Sequence, residues 1–394
     1  MIFLVILASF PLLDIAWWWW GDRRLRSLGR RVPARLALAV FTLAQLAIFA
    51  WMIVSRIHSH SIDSPPLIAW AMLWHLLALP IAVAIMTAWT IGSAGSKAVR
   101  PRSVPVSSPA PPDTGWTRRQ ILATAAVALP PLAATVATVR GMSQLDDLRL
   151  RRVDVRFPGL PPALEGLTIA HITDVHVGRF TRGAILGEIV DRTNALGADI
   201  VLCTGDLIDH ALADLPAALE LTRSLRAPLG VWLCEGNHDL FQGRDGFERA
   251  VRGAGVNLLV NEAATLRVRG EPLQLLGLRW GGSAGGRGAD LDENMREVLA
   301  LRDPDAFGIL LAHHPHAFDA AAAAGIPLTL SGHTHGGQLN LTDRVGFGPA
   351  LYRYWSGLYR SGASAAFVSN GAGNWLPLRT AAPAEIVHLT LRRA

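Results

Sequence analysis

Cysteine is nearly missing from this chain: Cys203 and Cys234 are the only two among 394 residues. There is no Cys-x-x-Cys element, so a thiolate zinc site is excluded. Charged residues are also scarce, at 17% against 51% hydrophobic, and the mean hydropathy is +0.29, a balance that fits a chain part membrane and part soluble. The net charge of +6 gathers largely beside the apolar runs. No basic stripe follows in the C-terminal part, so the excess is not a nucleic-acid signature. No internal repeat points to a solenoid.

Long apolar runs fill the N-terminal part. Residues 1–20 are apolar except for Ser9 and Asp14, 32–54 apart from Arg35, Thr42 and Gln45, and 66–91 contain His75. Each is long enough for a membrane-crossing helix, which needs about 20 residues. The first lacks a basic leader and a cleavage site, so it reads as a span and not a signal peptide. Trp17 to Trp20 would sit at a membrane interface. His75 reads as a histidine hydrogen-bonded between helices, the alternative being a functional intramembrane group.

A Ser- and Pro-rich linker over 97–115, with Lys97, Arg100 and Arg102, cannot bury enough apolar surface to fold. Arg118 and Arg119 then open a fourth apolar run, 121–139. The arginine pair reads equally as a twin-arginine export signal or as two charges flanking a span. The expected organisation is three transmembrane helices within 1–95, a cytoplasmic linker over 96–119, a fourth helix or signal anchor over 120–140, and a globular domain over 150–394.

Basic residues beside spans tend to stay cytoplasmic. The first connection carries Arg23, Arg24, Arg26, Arg30 and Arg31, the third Lys97, Arg100, Arg102, Arg118 and Arg119, and the second Arg56 with little else. That alternation predicts a multi-pass protein of the cell (inner) membrane with its globular domain on the periplasmic or extracellular side. The spans hold few ionisable residues, which argues against a transporter.

Within the globular part, five apolar runs each stop at polar, ligand-type residues. Run 167–173 ends at Asp174-Val175-His176, run 198–204 at Gly205-Asp206, and run 229–235 at Gly236-Asn237-His238-Asp239. Run 307–312 ends at His313-His314-Pro315, and run 328–331 at Gly332-His333-Thr334-His335-Gly336-Gly337. Segments 184–196 and 215–225 between them have helical spacing. Strand, helix, strand is the order of an α/β sheet, which binds ligands outside the carboxyl ends of its strands. An Asp or Asn after a strand is often only a turn residue, but that does not account for five coordinated endings.

The donors Asp174, His176, Asp206, Asn237, His313, His333 and His335 offer carboxylate, amide and imidazole atoms without thiolate, a set that suits Mn, Fe or Zn. Seven ligands exceed what one catalytic ion holds, so two divalent ions, about 3.5 to 4 Å apart in sites of this kind, are the economical reading.

The order Asp-x-His, Gly-Asp, Gly-Asn-His-Asp, His and Gly-His-x-His resembles the calcineurin-like metallophosphoesterases. The endings Phe367-Val368-Ser369-Asn370-Gly371 and Pro383-Ala384-Glu385-Ile386 resemble the bacterial membrane-associated branch. The resemblance implies an α/β phosphoesterase sandwich, two central β-sheets flanked by helices, preceded here by a four-helix transmembrane region. It implies Asp174, His176 and His335 on one ion, Asn237, His313 and His333 on the other, and Asp206 bridging. Hydroxide held between the ions would attack phosphorus, His238 would protonate the leaving oxygen, and Asp239 would orient His238. His314 departs from the pattern; His313, directly after the strand, is taken as the ligand.

Outside that set, His171 and His316 read as packed or solvated, whereas His210 and Arg379 could line the pocket. The glycine-rich run 281–288 is open to reading as a lid or an idle loop. Cys203 and Cys234 each precede a motif glycine by two residues; neighbouring strands would bring the thiols close, yet two buried thiols acting as small apolar groups is the favoured reading. The expected substrate is a phosphomonoester or phosphodiester, of a lipid-linked or envelope type if the membrane supplies it. No protein partner is expected. The alternative function is a catalytically silent scaffold on the membrane, which the complete ligand set disfavours.

Overall fold

The computed structural model describes residues 2–27, 32–57, 64–98, 117–281, 289–342 and 344–394. The chain divides into two compact units, Met1–Met142 and Ser143–Ala394. Most of the expected linker, residues 99–116, lies outside the described residues.

The first unit is helical: α1 (Ile2–Ser27), α2 (Val32–Ile57), α3 (Pro65–Leu73), a π-helical turn at Trp74–Ala78, α4 (Leu79–Ala98) and α5 (Arg118–Met142). Among the described residues three stretches are long and apolar enough to cross a membrane: Val32–Val54, Pro65–Gly92 and Gln120–Met142. The first apolar run forms the front of α1 but is not among them, so the described residues establish three such helices and not the expected four.

Inside this unit Asp14 is fully buried, and its carboxylate accepts from Trp74 Nε1 at 2.8 Å and lies 2.9 Å from His75 Nε2. His75 Nδ1 lies 2.7 Å from the Ala71 carbonyl, which only accepts, so Nδ1 is the donor there. His75 is therefore hydrogen-bonded between helices. At its other end α1 is tied to α2 by Asp22, which takes Arg26 at 2.7 Å and Arg35 at 2.6 Å.

The second unit contains β1 (Arg149–Phe157), β2 (Thr168–Ile172), α6 (Ala184–Asn194), β3 (Ile200–Thr204), α7 (Leu215–Ser224), β4 (Val231–Cys234) and α8 (Arg244–Gly253). It continues through β5 (Asn257–Leu258), β6 (Glu262–Val268), β7 (Glu271–Gly277), α9 (Ala289–Ala300), β8 (Phe307–Leu311), α10 (Ala317–Ala323) and β9 (Leu328–Ser331). The last part holds β10 (Asn340–Thr342), β11 (Val345–Gly346), α11 (Phe347–Leu351), β12 (Gly357–Ser361), β13 (Ser364–Val368) and β14 (Glu385–Arg393).

Two six-stranded sheets result, ordered β1-β14-β2-β3-β4-β5 and β12-β13-β9-β8-β7-β6. In the first, β2, β3, β4 and β5 run parallel, while β14 pairs antiparallel to β2 and parallel to β1. In the second, β7, β8, β9 and β13 run parallel between antiparallel edges.

Alternation along the strands makes the layers, because successive side chains point to opposite faces. Ile169, Ile200 and Leu202 meet Leu275, Ile309, Leu328 and Phe367 between the sheets. Their neighbours Ala170, Val201 and Cys203 turn outward against Ile189 of α6, Ala218 of α7 and Phe247 of α8. On the far side Leu276 and Leu310 pack under Val298 of α9 and Ala321 of α10. The helix, sheet, sheet, helix sandwich is the architecture expected.

The cysteines occupy neighbouring strands but are out of step, since Cys203 pairs with Leu233 and Thr204 with Cys234. Cys203 therefore faces the helices and Cys234 the space between the sheets. Both are free, buried thiols, which is the favoured reading of the sequence, and no disulfide joins them. Burial pushes the Cys203 thiol up to about 12 and raises that of Cys234 well above its ordinary value.

Candidate active site

The carboxyl ends of β2, β3, β4, β8 and β9 open on one place, and the chain turns there under constraint. Asp174, His176, Asp206, His333 and His335 all have positive φ, between 48° and 69°. A non-glycine residue in that region costs roughly 1 to 3 kcal/mol, and such strain gathers where geometry serves function. Glycine allows the approach: a Cβ on Gly332 would collide with the Asp174 carboxylate and the Thr173 hydroxyl, so only glycine lets the histidine turn close against the end of β2.

At the β2 end, Asp174 accepts from Thr173 Oγ1 at 2.7 Å and from the His333 backbone N–H at 3.0 Å. His335 Nε2 lies 3.1 Å from Asp174 Oδ1 and 3.0 Å from His176 Nε2. At the β3 end, Asp206 Oδ2 lies 3.1 Å from His313 Nε2 and 3.5 Å from His176 Nε2. Asn237 Oδ1 lies 3.0 Å from His333 Nδ1. All seven sequence-predicted donors are thus brought together. His314 is in none of the compact donor groups: its ring packs 4.8 Å from that of His333, and its Nδ1 accepts from the His316 backbone N–H at 3.1 Å.

Among the described residues three donor groups are compact enough to hold a metal ion: Asp174, His176 and His335; Asp206, His313 and His333; and His176, Asp206 and His238. Asp206 and His176 each belong to two of them, and of these Asp206 is the carboxylate, with two oxygens to share. His313 Nε2 is buried without a hydrogen-bond partner although it faces Asp206. A buried imidazole nitrogen left open beside a carboxylate fits a cation as its missing partner.

Electrostatics agree with the geometry. Burial pulls His176 down, yet Asp174, Asp209 and Asp206 hold it up to about 10, and Asp206 and Asp174 likewise outweigh burial to hold His313 up to about 9. Burial wins at His333 and His335, which fall to about 3 and about 4. Asp174 and Asp206 stay well below the usual carboxylate range because, against burial, histidines surround them. Clustered carboxylates that keep protons on neighbouring imidazoles also attract metal cations.

His238 stands beside this cluster. Its backbone N–H donates to Asp206 Oδ1 at 2.8 Å, and its Nδ1 donates to the Asp209 carbonyl at 2.6 Å. The Asp209 carboxylate lies 3.5 Å from the same Nδ1 and 3.4 Å from His176 Nδ1. Asp239, expected to orient His238, is spent on the backbone: its oxygens accept from Leu207, Ile208 and Gly236 at 2.8, 3.1 and 2.9 Å. Asp209 was not anticipated: it sits three residues beyond Asp206, a spacing that carries no motif of its own.

Comparison with known proteins settles the family. The calcineurin-like phosphoesterase model matches residues 167–337. An uncharacterized metallophosphoesterase of Bacillus subtilis, YkuE, is 30% identical over 249 residues, 59% of this chain and 82% of that protein. The chain belongs to the calcineurin-like phosphoesterases. A Danio rerio transmembrane protein with metallophosphoesterase domain is 32% identical over 262 residues, 61% of this chain and 57% of that one. The UDP-2,3-diacylglucosamine pyrophosphatase LpxG of Chlamydia trachomatis is 27% identical over 307 residues, 65% and 93% of the two chains. This phosphoesterase chain spans less than two thirds of some relatives, 57% of the Danio rerio protein and 60% of one from Helicobacter pylori.

The remaining sequence-predicted residues fall around the calcineurin-like centre. Arg379 is fully buried; its Nη2 lies 3.2 Å from His335 Nδ1, and its other nitrogens donate to Asn374 Oδ1 and to the carbonyls of Asn370 and Ala382. His210 packs 5.3 Å from Phe241, whose ring is 4.6 Å from His238. His171 is packed within the sheet, its Nε2 2.8 Å from Thr204 Oγ1. Of the glycine-rich run, residues 282–288 lie outside the described residues.

Proposed function

We propose that this chain is a membrane-anchored phosphoesterase that uses two divalent transition-metal ions, Mn, Fe or Zn, to hydrolyse a phosphomonoester or phosphodiester. The observation that carries the reading is the place of Asp206 in two compact donor groups, one with His313 and His333 and one with His176 and His238, with the His238 backbone N–H donating to that same carboxylate. Asp174, His176 and His335 would hold one ion, Asn237, His313 and His333 the other, and Asp206 both. Bound ions supply a nucleophile at neutral pH and neutralise charge on the phosphoryl oxygens.

The protein's own groups do the rest. His238 uses Nδ1 on the Asp209 carbonyl, which leaves Nε2 to deliver a proton to the departing oxygen. The Asp209 carboxylate, 3.5 Å from Nδ1, helps to hold the ring in that orientation. Trp280, buried, lies 5.4 Å from His313 and 5.2 Å from His333 ring to ring and walls that half of the site from water.

Three helices able to cross a membrane among the described residues support anchoring, and we read the helices within 1–95 and 120–140 as the membrane region. The alternation of basic connections supports a domain facing the periplasm or cell exterior. A substrate drawn from the bilayer, a lipid or lipid-linked phosphoester, fits that placement, and the printed name of the Chlamydia trachomatis relative, a pyrophosphatase of a diacylated sugar nucleotide, supports it. The test is hydrolysis of p-nitrophenyl phosphate and bis(p-nitrophenyl) phosphate by the purified full chain with added Mn. Turnover of either supports the reading, and no turnover with both ions bound overturns it.

A further inference from the structure

In the Ser143–Ala394 unit, the three most exposed large apolar side chains among the described residues are Leu341 at 71%, Leu351 at 62% and Val345 at 54%. Singly scattered apolar residues on a surface are ordinary. These three lie on one excursion, the β10–β11 hairpin and α11, whose described residues are 341–342 and 344–351. Arg344, also exposed, lies between them.

The excursion is fixed to the site by its base. Asn340 donates from Nδ2 to the Gly336 carbonyl at 2.6 Å and accepts at Oδ1 from Gly348 N–H at 3.2 Å, so it ties the histidine turn to α11. Asn340 also pairs with Thr380, through its N–H at 3.1 Å and its carbonyl at 2.9 Å. Beyond α11, the ring of Tyr352 stands 6.1 Å from that of His333. The apolar tip is thus held beside the centre by a built polar base.

We infer that the β10–β11 hairpin and α11 form a membrane-contacting element that seats the metal centre at a lipid surface, with Leu341, Val345 and Leu351 in the acyl boundary and Arg344 at the headgroup phosphates. A bilayer is the occupant the structure favours. The same chain carries three apolar helices long enough to cross one, which keeps lipid at high effective concentration around this unit. An apolar set flanked by charged residues, here Asp343 and Arg344, is also the chemistry of interfacial binding, with the arginine stem able to lie along lipid while its head meets phosphate. The inference rests on the membrane reading of the N-terminal helices and does not require the site to be active.

The experiment places single nitroxide labels on the full chain reconstituted in nanodiscs of phosphatidylcholine and phosphatidylglycerol. Leu341→Cys and Leu351→Cys report the excursion, Val136→Cys the α5 helix, and Leu301→Cys an exposed site at the end of α9. The native thiols are buried. Collision rates with oxygen, which concentrates in lipid, and with a neutral nickel chelate, which stays in water, give the depth. The expected result is oxygen preference at 341, 351 and 136, with nickel preference at 301. Oxygen preference at 136 with nickel preference at 341 or 351 overturns the inference and leaves the membrane reading intact. Nickel preference at 136 overturns both, and shielding of 341 and 351 from both reagents overturns the inference in favour of a protein cover. Hydrolysis of bis(p-nitrophenyl) phosphate by the same samples reads the proposed function separately.

Discussion

The carboxylate of Asp209 lies 3.5 Å from His238 Nδ1, and the Asp209 carbonyl accepts from that nitrogen at 2.6 Å, so one residue holds the imidazole in two ways. Although burial opposes ionisation, His176 and His238 keep the Asp209 carboxylate well below its usual range. Asp209→Asn removes the charge and leaves the carbonyl. Turnover of an alkyl phosphoester should fall roughly 10- to 100-fold, the usual cost of losing such a supporting partner, with both ions kept. Unchanged turnover, read beside metal content, would remove Asp209 from the mechanism.

His238→Ala should also keep both ions, and slow an alkyl ester by roughly 10² to 10⁴. The loss should be smaller for an activated aryl ester, whose leaving group departs without a proton. Elemental analysis with rates on both esters checks this. Loss of metal would make His238 a ligand, and equal losses on the two esters would deny it the acid role.

Asp239→Ala should behave differently, because it removes the acceptor of three backbone N–H groups. A buried donor left without a partner costs about 1 to 3 kcal/mol. The expected signature is a lowered melting temperature, with metal binding weakened through the neighbouring Asn237 and Asp206 loops. A variant as stable as the parent but catalytically slow would restore the role first expected of Asp239.

Burial brings His171 down to about 3, against the pull of Asp174, from about 6.5 in an unfolded chain. The folded state therefore binds fewer protons than the unfolded state between those values. The stability His171 contributes is present above about pH 6.5 and is lost as pH falls toward 3, by about 2 kcal/mol between pH 7 and 5. Unfolding of the parent and of His171→Leu, followed at both pH values, should show a smaller acid loss in the variant. Equal losses would contradict the assignment.

The strand ends were legible because apolar runs broken by glycine, carboxylate and imidazole mark both a buried parallel strand and what lies at its tip. Residues 307–312 and 328–331 appear as Phe307–Leu311 and Leu328–Ser331. What crosses between elements was not legible. Asp209 reaches His238 only through the parallel pairing of β3 with β4, and no local periodicity marks it. Asp239 was assigned by its adjacency to His238, whereas the turn after β4 directs its carboxylate into the backbone. The same register, one residue out of step, separates Cys203 from Cys234. β14 pairs with β1 from the far end of the unit, a contact no short window contains. Arg379 belongs with these: read as pocket-lining at most, it is buried beneath His335.

The central claim is two ions held on one shared carboxylate, and the most direct measurement titrates metal-free full chain with Mn while bound ions and hydrolysis of bis(p-nitrophenyl) phosphate are followed together. Activity should appear only as the second ion binds, and Asp206→Ala should weaken both binding steps, since that carboxylate serves both ions. Full activity with one ion per chain, or unaltered binding of two ions by Asp206→Ala, would contradict the account.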